Sequence, residues 1–221
     1  MTKIIVIEGI DGTGKTVQLI NLEKRLSEKG YKVKTLSFPA YDTFFGAEIG
    51  KLLSAREGVS AADVDAKSMS LWFAMDRFDS FRSFDYSDAD YLLLNRYVLS
   101  NAVYQSIRDR DIGKPDILDF VMELEHKKLG LPIPDRYIVL DMDMEAASGN
   151  VMRKGFRDYV GGEKKDVYES TDGIQARAQA KYREYAARLP NVSIINCMGP
   201  DGLMSIEAIG HKIDETLAGI I

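Results

Sequence analysis

Eight consecutive residues near the start of the chain could hold a polyphosphate. Gly9, Ile10, Asp11, Gly12, Thr13, Gly14, Lys15 and Thr16 satisfy the spacing G-x-x-x-x-G-K-[ST] with no mismatch. Glycines let a loop wrap with its N–H groups converging, and a following helix adds the positive end of its dipole. A lysine there reaches the β- and γ-oxygens of a bound nucleoside triphosphate, and a Thr hydroxyl is a hard ligand for Mg²⁺. The expected nucleotide-binding run extends from Gly9 to Val17, with Mg²⁺ as cofactor. A tight glycine turn is the alternative, but it does not require Lys and Thr at these places.

For this chemistry the loop must sit between a strand and a helix. Lys3–Glu8 (KIIVIE) is a short β-branched run, and an amphipathic stretch follows from Lys15 to Lys29, with Gly30 placed for a left-handed cap. Lys32–Ser37 then reads as a second strand, which makes a βαβ unit and implies a parallel sheet. Further strands are expected at Tyr91–Leu94, Arg136–Asp141 and Val192–Asn196. Helical periodicity covers Ala62–Phe84, Pro115–Leu129, Thr171–Leu189 and Gly202–Leu217. The expectation is one α/β domain over residues 1–221: a P-loop fold with five parallel strands and helices on both faces. The polar, glycine-containing segment at about 153–169 resists this pattern and reads as a short lid.

Composition narrows the class. The chain has 221 residues, 45% of them hydrophobic, enough for a substantial core. No apolar run approaches the roughly 18–20 residues of a membrane span, and the start does not read as a signal peptide. Cys197 is the only cysteine and His126 and His211 the only histidines, which leaves no disulfide or multi-histidine metal site. A net charge of −5 argues against general nucleic-acid coating. The expectation is a cytoplasmic protein with small-molecule partners. The guanine-reading Asn-Lys-x-Asp is missing from the sequence, which counts against a GTPase.

Several further segments carry a specific resemblance. The loop IEGIDGTGKT, with a carboxylate at Asp11, Phe38-Pro39-Ala40-Tyr41, Leu71–Arg77 (LWFAMDR), Asn95–Gln105 (NRYVLSNAVYQ) and Lys165–Glu169 (KDVYE) resemble, in order, the motifs of the thymidylate kinase family. The resemblance implies transfer of the γ-phosphoryl of ATP to dTMP, forming dTDP, by a homodimeric enzyme. The helix Ala62–Phe84 has apolar surface for such an interface. Phe73 would stack on the base and Arg77 would pair with its edge. Ser100 and Asn101 would lie beside the base, and Tyr104 would pack under the sugar. Arg96 would clamp the acceptor's 5′-phosphate, and Asp11 would accept a hydrogen bond from the 3′-hydroxyl. Phe38, Pro39 and Tyr41 would complete the acceptor site, with Tyr168 and Glu169 closing over it. Because this loop has Gly12 where an arginine could stand, Arg153, Lys154 or Arg157 of the lid would supply positive charge to the transferring group, Arg153 and Arg157 being favoured.

Each position also has a plainer reading. Phe73 fits a core aromatic, Arg77 a surface helix charge, Ser100 and Asn101 the first turn of a helix, Asp11 a turn residue, and the lid cations a solvated charge run. The family signature begins with Asp where this chain has Asn95, which keeps one carbonyl acceptor near the metal but removes a charge. Thr16 and Asn95 are thus the expected metal-side residues. A kinase for a deoxynucleoside or another deoxynucleoside monophosphate stays open, as does a non-catalytic nucleotide-binding regulator.

Overall fold

The structure is a computed structural model that describes residues 1–55, 58–153 and 173–221, without the side chains of 152 and 153. Its centre is β1 (Lys3–Glu8), whose Ile5, Val6 and Ile7 are fully buried. A strand apolar on both faces belongs inside a parallel sheet. β1 pairs in parallel with β3 (Tyr91–Asn95) on one side and β4 (Arg136–Asp141) on the other. β2 (Val33–Ser37) and β5 (Val192–Asn196) form the edges, giving the order β2-β3-β1-β4-β5. All five expected strands are present, within one residue at each end.

Between them run α1 (Lys15–Glu28), α2 (Phe44–Leu53), α3 (Ala66–Ser83), α4 (Val98–Asp111), α5 (Leu118–Met122), α6 (Met144–Arg153), α7 (Ile174–Arg188) and α8 (Ile206–Thr216). Right-handed crossovers place α1 on one face of the sheet, because β1→β2 runs opposite to the other connections. α1 packs there against α8, while α4 packs with α3, α5 and α7 on the other face. Gly30 follows α1 with φ +90°, as the cap position required.

Three expected boundaries move. α3 starts at Ala66 because Asp65 caps it, its carboxylate accepting from Ser68 N–H at 3.1 Å. α8 starts after Ser205, which accepts from Ala208 N–H, and residues 202–203 instead pair with 198–199 as a small antiparallel hairpin, β6 and β7. The segment 115–129 is helical only from Leu118 and turns π-helical over Glu123–Lys128.

α2 bears directly on the cleft described below. Its Gly46 lies so close to the preceding loop that a Cβ would sit 1.8 Å from the Ala40 carbonyl oxygen. Thr43 caps the helix, its hydroxyl oxygen accepting from Gly46 N–H at 3.2 Å. Gly46→Ala must push α2 away from the Pro39–Tyr41 loop, and a loss of at least about 2 kcal/mol is expected. Urea denaturation of the two proteins measures it; equal midpoints would show that the loop yields without cost.

Candidate active site

The adjacent strands β3 and β1 send their outgoing connections to opposite faces. A crevice opens at their carboxyl ends, where open α/β sheets bind ligands. The β1 side contributes the glycine loop. Its Gly12 (φ +84°) admits no side chain, since a Cβ would stand 2.0 Å from the Ala147 carbonyl oxygen of α6. Gly14 begins α1 with no capping side chain, so the first amides of the helix carry no side-chain acceptor. Lys15 is buried and donates from Nζ to the carbonyls of Gly9 (3.0 Å) and Ile10 (2.7 Å). Thr16 and Val17 are exposed at the start of α1.

The β3 side contributes Arg96, held with φ +63°, a conformation uncommon outside glycine. Its N–H donates to Ile7 O, and its guanidinium donates to Ser100 Oγ at 3.3 Å and to Asp11 Oδ1 at 2.5 Å. Asp11 also accepts from Gln175 Nε2 at 3.1 Å and lies 3.9 Å from Lys15 Nζ. Burial works to raise its pKa, but the charges of Arg96 and Lys15 prevail and hold it at about 2.

Beneath them lies Glu8, the last residue of β1 and fully buried. It accepts from Tyr97 N–H (2.8 Å), Ser100 N–H (3.2 Å), the Ser100 hydroxyl and the Tyr182 hydroxyl (3.0 Å). α4 has no capping side chain of its own, and Glu8 serves as its cap from another element.

One cleft gathers the rest. Asp11, Phe38, Pro39, Tyr41, Phe73, Arg77, Arg96, Ser100, Asn101 and Tyr104 all line it. Sequence reasoning singled out each of these; it did not single out Leu53, Tyr97 and Gln105, which line it too. Phe38 is also a core ring, stacked on Phe81 at 6.1 Å. Arg77 is not a surface charge: it is 2% exposed and makes a two-pronged ion pair with Glu125, which is fully buried. Burial would lower the guanidinium pKa, yet the carboxylate beside it holds it above its usual value. Asn95 ends β3 with a buried Oδ1 that meets no partner. The side chain of Arg153, together with Lys154, Arg157, Tyr168 and Glu169, lies outside the described residues.

A phosphate loop on the first strand of a 2-3-1-4-5 parallel sheet, facing a second cation across the crevice, defines the P-loop phosphotransferase class. The comparisons specify it further. The thymidylate kinase family model matches residues 7–196. The thymidylate kinase of Mycobacterium tuberculosis is 33% identical over 188 residues, 84% of this chain and 86% of that protein. That of Caldicellulosiruptor saccharolyticus is 34% identical over 169 residues, covering 75% and 77%. A probable thymidylate kinase of Thermococcus gammatolerans is 28% identical over 222 residues, covering 98% of each. The solved thymidylate kinase of Candida albicans shares the fold, with TM-score 0.73 at 23% identity, covering 99% and 92%. This chain belongs to the thymidylate kinase family.

The depressed pKa of Asp11 has a testable consequence for stability. A carboxylate held at about 2 instead of the ordinary 3.8 contributes stability that is present above pH 4 and disappears as pH falls towards 2. Asp11→Asn should therefore cost about 1–2 kcal/mol at pH 7, and its deficit should close as the pH is lowered through that window. Denaturant titrations of both proteins from pH 6 downwards check this; a pH-independent deficit would assign the loss to packing.

Proposed function

We propose that the chain works as a single kinase domain that transfers the γ-phosphoryl group of ATP to the 5′-phosphate of dTMP. The observation that carries this is the make-up of the cleft. It holds an ionic pair between Asp11 of the phosphate loop and Arg96 across the crevice, and a ring, a guanidinium and an amide (Phe73, Arg77 and Asn101) in the same cavity. A nucleoside monophosphate needs both kinds of group.

In the reaction, an oxygen of the dTMP phosphate attacks the γ-phosphorus and the bond to the β–γ bridging oxygen breaks, releasing ADP and dTDP. Little covalent work falls to the protein, whose task is to position and to neutralise. Lys15 exchanges its two loop carbonyls for β- and γ-oxygens. Arg96 exchanges Asp11 for the acceptor's phosphate, a dianion that suits its fork. Asp11, so released, accepts from the 3′-hydroxyl, and Tyr104 flanks the sugar. Phe73 stacks on the base, and Arg77 and Asn101 read its edge. Arg153 and Arg157 add positive charge at the transferring group, and Tyr168 and Glu169 cover the acceptor. The arginine assignments rest on the charge that the family's lid supplies when the loop lacks an arginine, and those of Tyr168 and Glu169 on the KDVYE motif.

Mg²⁺ fits the residues present. No group of three or more His, Cys, Asp or Glu occurs together among the described residues. The exposed Thr16 hydroxyl and the unpartnered Asn95 Oδ1 are neutral, hard oxygens, enough to complement nucleotide phosphates. When bound, the ion neutralises charge on the β- and γ-oxygens.

Among the described residues no helix is long and apolar enough to cross a membrane, which is consistent with a cytoplasmic enzyme. The same reading takes the protein as a homodimer. Phe44 is 68% exposed and Leu71 44%, and Phe45 links the Phe44 ring to Trp72 of α3. This apolar surface suits a second copy.

An ADP-release assay with ATP, Mg²⁺ and dTMP tests the function directly; no release with dTMP would overturn it. In that assay Lys15→Ala should lose at least a hundredfold in kcat, about 2.7 kcal/mol of barrier, with an unchanged circular dichroism spectrum. Retention of a tenth of the activity would remove the lysine from the mechanism. Asn95→Asp adds a charge facing the metal shell and should lower the Mg²⁺ concentration needed for half-maximal rate. A slower rate at every Mg²⁺ concentration would instead place the amide against a phosphate oxygen.

A further inference from the structure

The π-helical turn Glu123–Lys128 supplies no residue to the cleft wall, yet it carries a fully buried carboxylate, Glu125. Two elements converge on it. Arg77 of α3 donates from Nε to Oε2 and from Nη2 to Oε1, both at 2.6 Å. Asn101 of α4 donates from Nδ2 to the same Oε1 at 2.9 Å and to the Ser70 carbonyl at 3.0 Å.

These bonds fix what remains. Both hydrogens of the Asn101 amide are used on acceptors, so its carbonyl must point elsewhere. Asn101 is 3% exposed, its Oδ1 is buried with no partner, and the residue lines the cleft. Arg77 has two of its three nitrogens on Glu125, and Nη1 makes no hydrogen bond to a described residue. Two groups of the cleft lining are thereby set as one acceptor and one donor. An ion pair this deeply buried is weak support for stability, because desolvation offsets its attraction. Fixing the direction of neighbouring polar groups is a use that repays that cost.

We propose that Glu125 is a positioning residue that sets the hydrogen-bonding polarity of the base end of the cleft, and so selects a pyrimidine with an N3–H and a 4-carbonyl over one with a bare N3 and a 4-amino group. This rests on Phe73, Arg77 and Asn101 being the base end of the acceptor site. The N3–H meets Asn101 Oδ1 and the 4-carbonyl meets Arg77 Nη1. Cytosine inverts both partners and leaves two buried groups opposed to their own kind. Sites built in this way discriminate far more strongly than apolar pockets do. Glu125 touches neither base nor phosphate and acts through its two neighbours.

Glu125→Gln tests this in the intact chain. A glutamine keeps the shape but offers one oxygen and one NH₂ group where three donors converge. Either Arg77 loses its second prong or the Asn101 amide turns over, and both spoil the acceptor–donor pair. With dTMP, dUMP and dCMP measured side by side, the dTMP/dCMP ratio of kcat/KM should fall at least tenfold, mainly through a higher KM for dTMP. The dTMP/dUMP ratio should stay within twofold, since uracil presents the same edge. Should the glutamine variant be recovered unfolded, Glu125→Asp keeps the charge on Arg77 but withdraws from Asn101, and the same ratios are read. A folded variant with undiminished dTMP/dCMP preference overturns the proposal, as does an equal loss on all three acceptors. If the unmodified protein shows no preference for dTMP over dCMP, the base-end assignment itself fails, which is seen before any variant is made.

Discussion

A carboxylate with no access to water must be given donors, and Glu8 is such a carboxylate at the end of the central strand. Its donors are two amides and a hydroxyl at the start of α4 and one hydroxyl from α7. Because these bonds must form together, the entry of α4 is fixed relative to β1, and hence to the glycine loop that β1 feeds. α7 is fixed to both through Tyr182, which brings Gln175 to the Asp11 amide and carboxylate. The phosphate loop and the cleft are thus registered to each other through one buried charge.

Glu125 repeats the arrangement one residue further along α4. Glu8 holds Ser100 and Glu125 holds Asn101, so two consecutive residues of one helix turn are anchored by carboxylates from different parts of the chain. Preorganisation of this kind removes the need to reorient polar groups when a ligand arrives. It also explains why α3 and α4 pack closely: Arg77 and Asn101 meet on one oxygen.

What sequence revealed of this follows from how local each signal is. The phosphate loop is contiguous and its residue types are demanded by chemistry, so Gly9 to Thr16 is legible without any structure. The strands are legible because buried parallel strands are short apolar runs, and YLLL and RYIVLD have few other uses. α2 was not legible: FFGAEIGKLL carries two glycines, which weaken a helical reading. α6 is likewise not singled out as a helix, and α4 only through the first turn at Ser100 and Asn101. Glu8 reads in sequence as a strand-end charge and Glu125 as one more charge in ELEHKK. Their roles exist only across 89 and 48 residues of chain separation from Tyr97 and Arg77 respectively. The cleft residues were legible through family motifs, whereas the carboxylates that hold them carried no local pattern.

The two ends of the cleft are kept ready in different ways, and the energetics of burial explain the difference. At the proposed phosphate end the described cations Lys15 and Arg96 have partners within the protein: Lys15 its loop carbonyls, Arg96 the carboxylate of Asp11. At the base end a neutral oxygen, Asn101 Oδ1, waits with none. An unpaired buried carbonyl costs about 1–3 kcal/mol, an amount a folded domain can carry, whereas an unpaired buried charge costs several times more. The cations therefore need partners that a phosphate can displace, and a dianion with several oxygens is strong enough to displace them. A base edge, uncharged and with one bond to offer at each atom, could not displace a carboxylate from an arginine. It has to find its donor and acceptor already free, and the fixed pairing of Glu125 with Arg77 and Asn101 leaves them so.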